Sequence, residues 1–240
     1  MKLEKVLFQK SHFYLLGFSV FVIIAFWLTY ITEVFNQESY WMHIHGLAMF
    51  LWCALLITQP YLISKRKNAL HRQLGKASYM LVALIAFSTI GLYKFRLSTL
   101  VSLTAIDYLA TSSVLIALLV FLTFYWLAIY FRKKTAIHGR YMICTVFAMF
   151  TAVIDRIIRI YFPDIVSIFP IVDGENIVQV LGLTLGDIIL LGLCIWDWQS
   201  HKRWNVFPIA LGIHLAYHYA VLNFYKFDFW KNFCLWLYNF

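Results

Sequence analysis

Seven long apolar runs separated by short polar breaks dominate this sequence. Each run holds roughly 18–26 residues, enough for a helix to cross a hydrocarbon core of about 30 Å. Helices are the expected form, because lipid offers the backbone no hydrogen-bond partner and the runs lack the alternation of barrel strands. The predicted spans are about 12–32, 41–63, 76–93, 106–131, 140–162, 177–196 and 205–223.

The composition excludes a soluble enzyme, a secreted domain and a disordered chain. Hydrophobic residues make up 62% of the sequence and charged residues 13%, whereas soluble domains average about 25% charged residues. We therefore predict an all-α polytopic membrane bundle of seven helices, with residues 1–240 forming one integral membrane domain in contact with lipid. The aromatic tail, 224–240, is too short to cross again and is predicted to lie at the outer interface. The cysteines are predicted to be small core residues rather than disulfide or zinc ligands.

Basic residues mark one side of the predicted bundle. Fourteen of the 20 Lys and Arg residues fall in the N-terminal segment and in the breaks 64–76, 132–140 and 197–204, beside only two acidic residues. Because positively charged loops stay inside, we predict a cytoplasmic N-terminus and an external C-terminus. The net charge of +9 then reflects topology, and no nucleic-acid partner is expected.

Ionisable side chains within the spans are the candidates for function, because such residues are costly in a membrane. Counting about 1.5 Å per residue places six of these groups, from four helices, in the outer half of the bilayer. The six are His43, His45, Asp155, Asp187, His214 and His218.

The histidines within this set predict a metal site. His214 and His218 are four residues apart and share one helix face, a spacing with which two imidazoles bind one ion. His43 and His45 form a second pair, although side chains two apart diverge on a regular helix. Neutral imidazoles suit zinc, copper, iron or haem. The alternative, in which these histidines only hydrogen-bond from helix to helix, stays open.

Two aspartates are the candidate catalytic residues. Asp155 lies four residues before Arg159, so the two side chains can form an ion pair along one helix. Either Asp155 or Asp187 could bind the metal directly or orient a histidine that binds it. Asp187 follows Gly182-x-x-x-Gly186, a small-residue face that permits close helix packing. A buried carboxylate there needs a donor, and His214 at the same depth is the predicted one.

Two further histidines lie at the first turns of two spans, on the cytoplasmic side. His71 begins the motif H-R-Q-L-G, and His138 begins the motif H-G-R-Y-M. One interpretation is that each histidine and its neighbouring arginine anchor the helix to lipid phosphates. The other is a second site, in which His71 and His138 face each other across the bundle. One site near each face would suit electron transfer across the membrane.

The segments 45–52 (HGLAMFLW) and 70–75 (LHRQLG) resemble the second-to-third span region of the ascorbate-reducible b-type cytochromes. This resemblance implies haem b, with His45 and His71 as ligands. The candidate haem ligands in the whole sequence are His45, His71, His138 and His218. The H-R-x-x-G and H-x-R-Y-M motifs also resemble those of uncharacterised bacterial seven-span membrane proteins, which implies a bacterial cytoplasmic membrane.

The H-x-x-x-H motif of the last span is similar to that of the adiponectin-receptor and alkaline-ceramidase superfamily. That resemblance implies a zinc ion and the hydrolysis of a lipid amide or ester. The serine-plus-histidine motif of that superfamily's second span and the aspartate of its third have no counterparts here.

The sequence as a whole predicts a membrane protein with a histidine-rich metal or haem site in the outer half of the bilayer, serving redox chemistry or electron transfer. A quinone or a lipid is the expected substrate class. The alternatives are a zinc-dependent intramembrane lipid hydrolase, and a non-enzymatic membrane protein or small-solute transporter. Whether the protein is an enzyme stays open at this point.

Overall fold

The structure is a computed structural model that describes residues 10–239, and 83% of it is helical. Lys2 and Lys5 belong to the N-terminal segment that the sequence predicts on the cytoplasmic side, and they lie outside the described residues. Within 10–239 there are nine α-helices: α1 Ser11–Phe26, α2 Tyr40–Ser64, α3 Asn68–Ser98, α4 Ala105–Tyr130, α5 Thr135–Cys144, α6 Phe147–Tyr161, α7 Gln179–His201, α8 Phe207–Asn223 and α9 Asp228–Asn239. The shorter elements are a π-helical turn Trp27–Ile31, 3-10 helices Val34–Asn36, Pro163–Ile168 and Phe224–Lys226, and strands β1 Ile171–Val172 and β2 Glu175–Asn176.

The fold is an all-α polytopic membrane bundle, as predicted. In the described part of the chain, six helical stretches are long and apolar enough to cross a membrane: Ser11–Ile31, Tyr40–Ser64, Asn68–Ser98, Ala105–Tyr130, Thr135–Tyr161 and Gln179–His201. Helix α8 matches the predicted seventh span, but its 17 residues extend only about 25 Å. The count of seven crossings therefore stays a prediction.

The bundle buries one side of each helix and leaves large apolar side chains outside. Helix α2 packs against α1 and α3, whereas α8 packs against α4 and α7, and α6 packs against α7. Phe124 and Tyr125 of the central helix α4 are fully buried. Phe13, Tyr14 and Phe21 of α1 are each more than half exposed. Such a surface is stable in lipid and unfavourable in water, because water penalises exposed apolar area.

Several helices extend beyond the predicted spans at one end of the bundle. We call this end, with the loops at 65–67, 131–134 and 202–206, the basic end, and the opposite end the acidic end. Helix α3 begins at residue 68 rather than 76, α5 at 135 rather than 140, and α7 continues to 201 rather than 196. A run of apolar residues marks only the part of a helix that lies in hydrocarbon. The polar helical turns at the membrane interface are therefore not predicted from such runs.

The aromatic tail folds as α9 and packs across the acidic end of the bundle. The indole nitrogen of Trp230 donates to the backbone carbonyl of Tyr108 at 2.9 Å. The hydroxyl of Tyr238 donates to the backbone carbonyl of Leu100 at 3.0 Å. Cys234 is fully buried, and burial raises the pKa of its thiol to about 11. The other three cysteines, Cys53, Cys144 and Cys194, are also free and buried, which confirms their assignment to the core.

Candidate functional site

The main polar cluster inside the bundle joins Asp187 of α7 to two histidines of α8. The Nδ1 atom of His214 donates to Oδ1 of Asp187 at 2.6 Å, and the Nδ1 atom of His218 donates to Oδ2 at 2.6 Å. The predicted partnership of Asp187 with His214 is therefore confirmed. His218 joins it because a spacing of four residues puts both imidazoles on the face of α8 that packs against α7.

This cluster lies within the bundle, away from the ends of its helices. Asp187 is about 12 Å along α7 from the acidic end. The side chain of His214 is fully buried, while those of Asp187 and His218 retain 15% and 20% exposure. The three groups therefore form a carboxylate–imidazole cluster with limited access to its surroundings through Asp187 and His218.

Gly186 makes the room that His214 needs. A Cβ atom at Gly186 would lie 2.6 Å from Cε1 and 2.8 Å from Nε2 of the His214 ring. One turn earlier, a Cβ at Gly182 would lie 2.7 Å from the Cα of Thr151 on α6. The prediction that Gly182-x-x-x-Gly186 forms a face for close packing is confirmed, and this face positions both the helix and the ring.

The hydrogen bonds fix the chemistry of the two rings. Since carboxylate oxygens only accept, each neutral imidazole carries its proton on Nδ1 and presents a basic lone pair at Nε2. The Nε2 atom of His214 is buried without a hydrogen bond, against Gly186. With Asp187 ionised, the cluster has a charge of −1 when both imidazoles are neutral and no net charge when one of them is protonated.

The other two histidines of the predicted metal set contact different helices. The Nδ1 atom of His43 is 3.4 Å from the hydroxyl of Tyr30, whereas Nδ1 of His45 is 3.3 Å from the hydroxyl of Ser88 and 3.4 Å from that of Thr89. The two rings thus diverge, as expected for side chains two residues apart. The helices that pack most closely on α2 are α1 and α3, whereas the cluster lies between α7 and α8.

The predicted pair of Asp155 and Arg159 is present on α6. The Nε atom of Arg159 donates to Oδ1 of Asp155 at 3.1 Å, and its guanidinium also donates to the carbonyl of Asn176 in β2. The guanidinium of Arg156 lies 4.4 Å from the ring centroid of Phe26. These contacts link α6 to its neighbours, and none of them joins Asp155 to a histidine.

His71 and His138 face each other, as the second-site interpretation predicted. Their ring centroids are 6.4 Å apart and their planes are nearly perpendicular. The Nδ1 atom of His138 donates to the carbonyl of Ala128 at 2.8 Å, which leaves its Nε2 as an acceptor. Both rings line a cavity that extends toward α1 and α2.

A buried ion pair, which the sequence reasoning missed, lies near the basic end. The Nη2 atom of Arg140 donates to Oδ1 of Asp197 at 2.9 Å, and the two side chains are only 1% and 2% exposed. Nδ1 of His201 lies 3.4 Å from the same oxygen. The interpretation of Arg140 as a lipid anchor was wrong, because its position on α5 points into the bundle toward α7. The available signal was Asp197 itself, an isolated acid among basic residues.

Within residues 10–239, no group of three or more His, Cys, Asp or Glu side chains is arranged to hold a metal ion. Comparison of the chain with family models, curated proteins and solved structures finds no match.

Proposed function

We propose that this integral membrane protein binds and releases a proton at the Asp187–His214–His218 cluster, and that this proton is coupled to transport or electron transfer. The observation that carries the proposal is the pair of 2.6 Å hydrogen bonds from two imidazoles to the two oxygens of one intramembrane carboxylate. Ionisable groups within spans commonly form proton relays and substrate pathways.

The cluster has the components that proton binding requires. The Nε2 atom of His218 accepts the proton, since that of His214 packs on Gly186, and the ionised carboxylate stabilises the imidazolium that results. The positive charge then lies directly beside the negative one, so the added proton removes the net charge of the cluster. His218 and Asp187 are the members of the cluster that keep partial exposure, so we propose that the proton enters and leaves through them.

Replacing Asp187 by Asn tests this role. An amide has one accepting oxygen and no charge, so it cannot hold both Nδ1 donors or stabilise an imidazolium. We expect the purified Asp187→Asn protein to take up about one proton fewer per molecule than the unaltered protein between pH 8 and pH 5, as measured by potentiometric titration. Nitrogen-15 NMR of labelled histidine is expected to show an imidazole of the cluster gaining a proton over this range in the unaltered protein and not in Asp187→Asn.

Asp164→Asn provides the matched control. Asp164 is exposed near the acidic end and is not part of the cluster. We expect this variant to take up as many protons as the unaltered protein. Equal uptake by Asp187→Asn and the unaltered protein, with both imidazoles uncharged throughout, would rule out the proposed function.

A metal- or haem-dependent redox function is the second candidate, and the orientation of the histidines favours it. Histidines that bind metals usually donate their second ring nitrogen to a carboxylate, as His214 and His218 do. The partly exposed His218 would be the ligand, since the Nε2 atom of His214 packs on Gly186. Stoichiometric metal, or a reducible haem absorption band, that is lost in His218→Ala would support this function. Colourless, metal-free protein would exclude it, together with the zinc-dependent hydrolase.

A further inference from the structure

Arg156 of α6 carries a positive charge within a membrane-spanning stretch and has no acidic partner there. Among residues 10–239, its guanidinium makes no hydrogen bond and no ion pair, and it lies over the ring of Phe26 on α1, 4.4 Å from the ring centroid. The adjacent Asp155 is paired with Arg159 at 3.1 Å. Charged side chains within spans are almost always paired, so Arg156 is a candidate for binding an anion.

The other charges near Arg156 do not neutralise it. Arg96 of α3, whose charge acts on Arg156, is itself paired with Asp107 at 3.5 Å. His45 of α2 also lies within range of this charge, and an imidazole is either neutral or positive. A net charge of +1 therefore remains at Arg156, which favours an anionic ligand over a neutral or a cationic one.

The guanidinium of Arg156 is accessible to a ligand. Its side chain is half-buried, and none of its nitrogen atoms is among the fully buried side-chain atoms that lack a partner in the described part of the chain. Each nitrogen therefore keeps some accessible surface. A guanidinium presents its N–H groups as a planar fork, which matches two oxygens of one phosphate or carboxylate group. The geometry thus suits an oxyanion held by two parallel hydrogen bonds.

Two helices give the same depth for this guanidinium. Arg156 lies five residues before the end of α6, and Phe26 lies five residues before Ile31, so both are about 8 Å from the acidic end. The hydroxyl of Tyr161, at the end of α6, donates to the backbone carbonyl of Ile24 at 3.0 Å and joins the two helices at this level. The long arginine side chain can extend toward the membrane interface from this depth. The abundant oxyanions at a membrane interface are the phosphates of lipid headgroups.

The surface of α1 beside Phe26 is apolar. Ile23, about one turn before Phe26, and Trp27, the next residue, are both exposed. Such side chains contact acyl chains in a bilayer, and tryptophan favours the level of the headgroups. A phosphate near an apolar surface of this kind is a feature of a phospholipid rather than of a free phosphate ion.

We propose that Arg156 binds the phosphate group of a membrane phospholipid at the acidic end of the bundle. The guanidinium donates two hydrogen bonds to the phosphate oxygens, and the ring of Phe26 holds the guanidinium in position by a cation–π contact. The acyl chains lie along the surface of α1 that includes Ile23 and Trp27. This inference does not rest on proton binding at Asp187.

Nitrogen-15 NMR of protein labelled at arginine, purified in dodecyl maltoside, tests the proposal. The Nε–H signal of Arg156 is the one that disappears in both Arg156→Met and Arg156→Lys. We expect dioctanoylphosphatidylglycerol to shift this signal in the unaltered protein. Dioctanoylglycerol has the same chains without the phosphate, and glycerol 3-phosphate has the phosphate without the chains. Neither control is expected to shift the signal at the same concentration.

Two phenylalanines of α1 provide a matched pair of variants for the same titration. Phe26→Leu removes the cation–π contact and is expected to raise the dissociation constant of the phospholipid about fivefold. Phe21→Leu, which changes an exposed phenylalanine of the same helix, is expected to leave it unchanged. The proposal is overturned if the phospholipid does not shift the Arg156 signal, if either control compound shifts it equally, or if Phe26→Leu binds as tightly as Phe21→Leu.

Discussion

Asp197→Ala is expected to destabilise the protein by about 3–5 kcal/mol, more than any other single change considered for this bundle. The substitution leaves the guanidinium of Arg140, which is 1% exposed, buried without its carboxylate partner at 2.9 Å. Removing one partner of a buried ion pair has a large desolvation penalty, even where a carbonyl such as that of Ala136 still accepts from the remaining charge. The free energy of unfolding, measured in mixed micelles with increasing detergent denaturant, gives this loss directly.

Two controls establish that the loss comes from breaking the buried ion pair. Asp228→Ala removes an aspartate that is 91% exposed and pairs with Lys231 at 3.6 Å, so it is expected to change stability by less than about 0.5 kcal/mol. The double variant Asp197→Leu with Arg140→Met removes both charges and is expected to recover most of the lost stability. A double variant as unstable as Asp197→Ala would show that packing around the pair, and not its charge, is what matters.

The positions of the helices could be predicted because lipid leaves a strong signal in the sequence. Every predicted span overlaps with one described helix, or with α1 and its π-helical turn, or with α5 and α6 in succession, although several helix ends differ from the predicted bounds. The pairing of Asp187 with His214 was also predictable, since a buried carboxylate needs a donor and helical rise gives the depth of both groups. Depth along a helix follows from counting residues.

The direction in which each side chain points could not be obtained in this way. By residue counting, His45 has a depth similar to that of the carboxylate–imidazole cluster, yet it contacts Ser88 on α3, because packing fixes the rotation of α2 about its axis. Arg140 and Asp197 stand at span ends that look solvent-exposed in sequence, and only the observed helix rotations bring them together inside the bundle. Helix rotation depends on contacts between distant residues, which hydropathy does not report.

Gly186→Ala is expected to destabilise the protein by about 1–3 kcal/mol and to disrupt the cluster that carries the proposed function. The new methyl group would lie 2.6 Å from the ring of His214, which is fully buried and cannot move aside into solvent. Shifting the ring breaks its 2.6 Å hydrogen bond to Asp187, so proton uptake between pH 8 and pH 5 should fall together with stability.

Gly192→Ala, on the same helix, distinguishes this clash from a general effect of losing a glycine. A Cβ atom at Gly192 meets nothing within 4 Å, and alanine favours a helix by up to about 1 kcal/mol over glycine. Gly192→Ala should therefore keep or raise the free energy of unfolding and leave proton uptake unchanged. The two substitutions are thus expected to act with opposite signs. If Gly186→Ala behaved like Gly192→Ala, His214 would not pack against Gly186, and its position in the cluster would have to be abandoned.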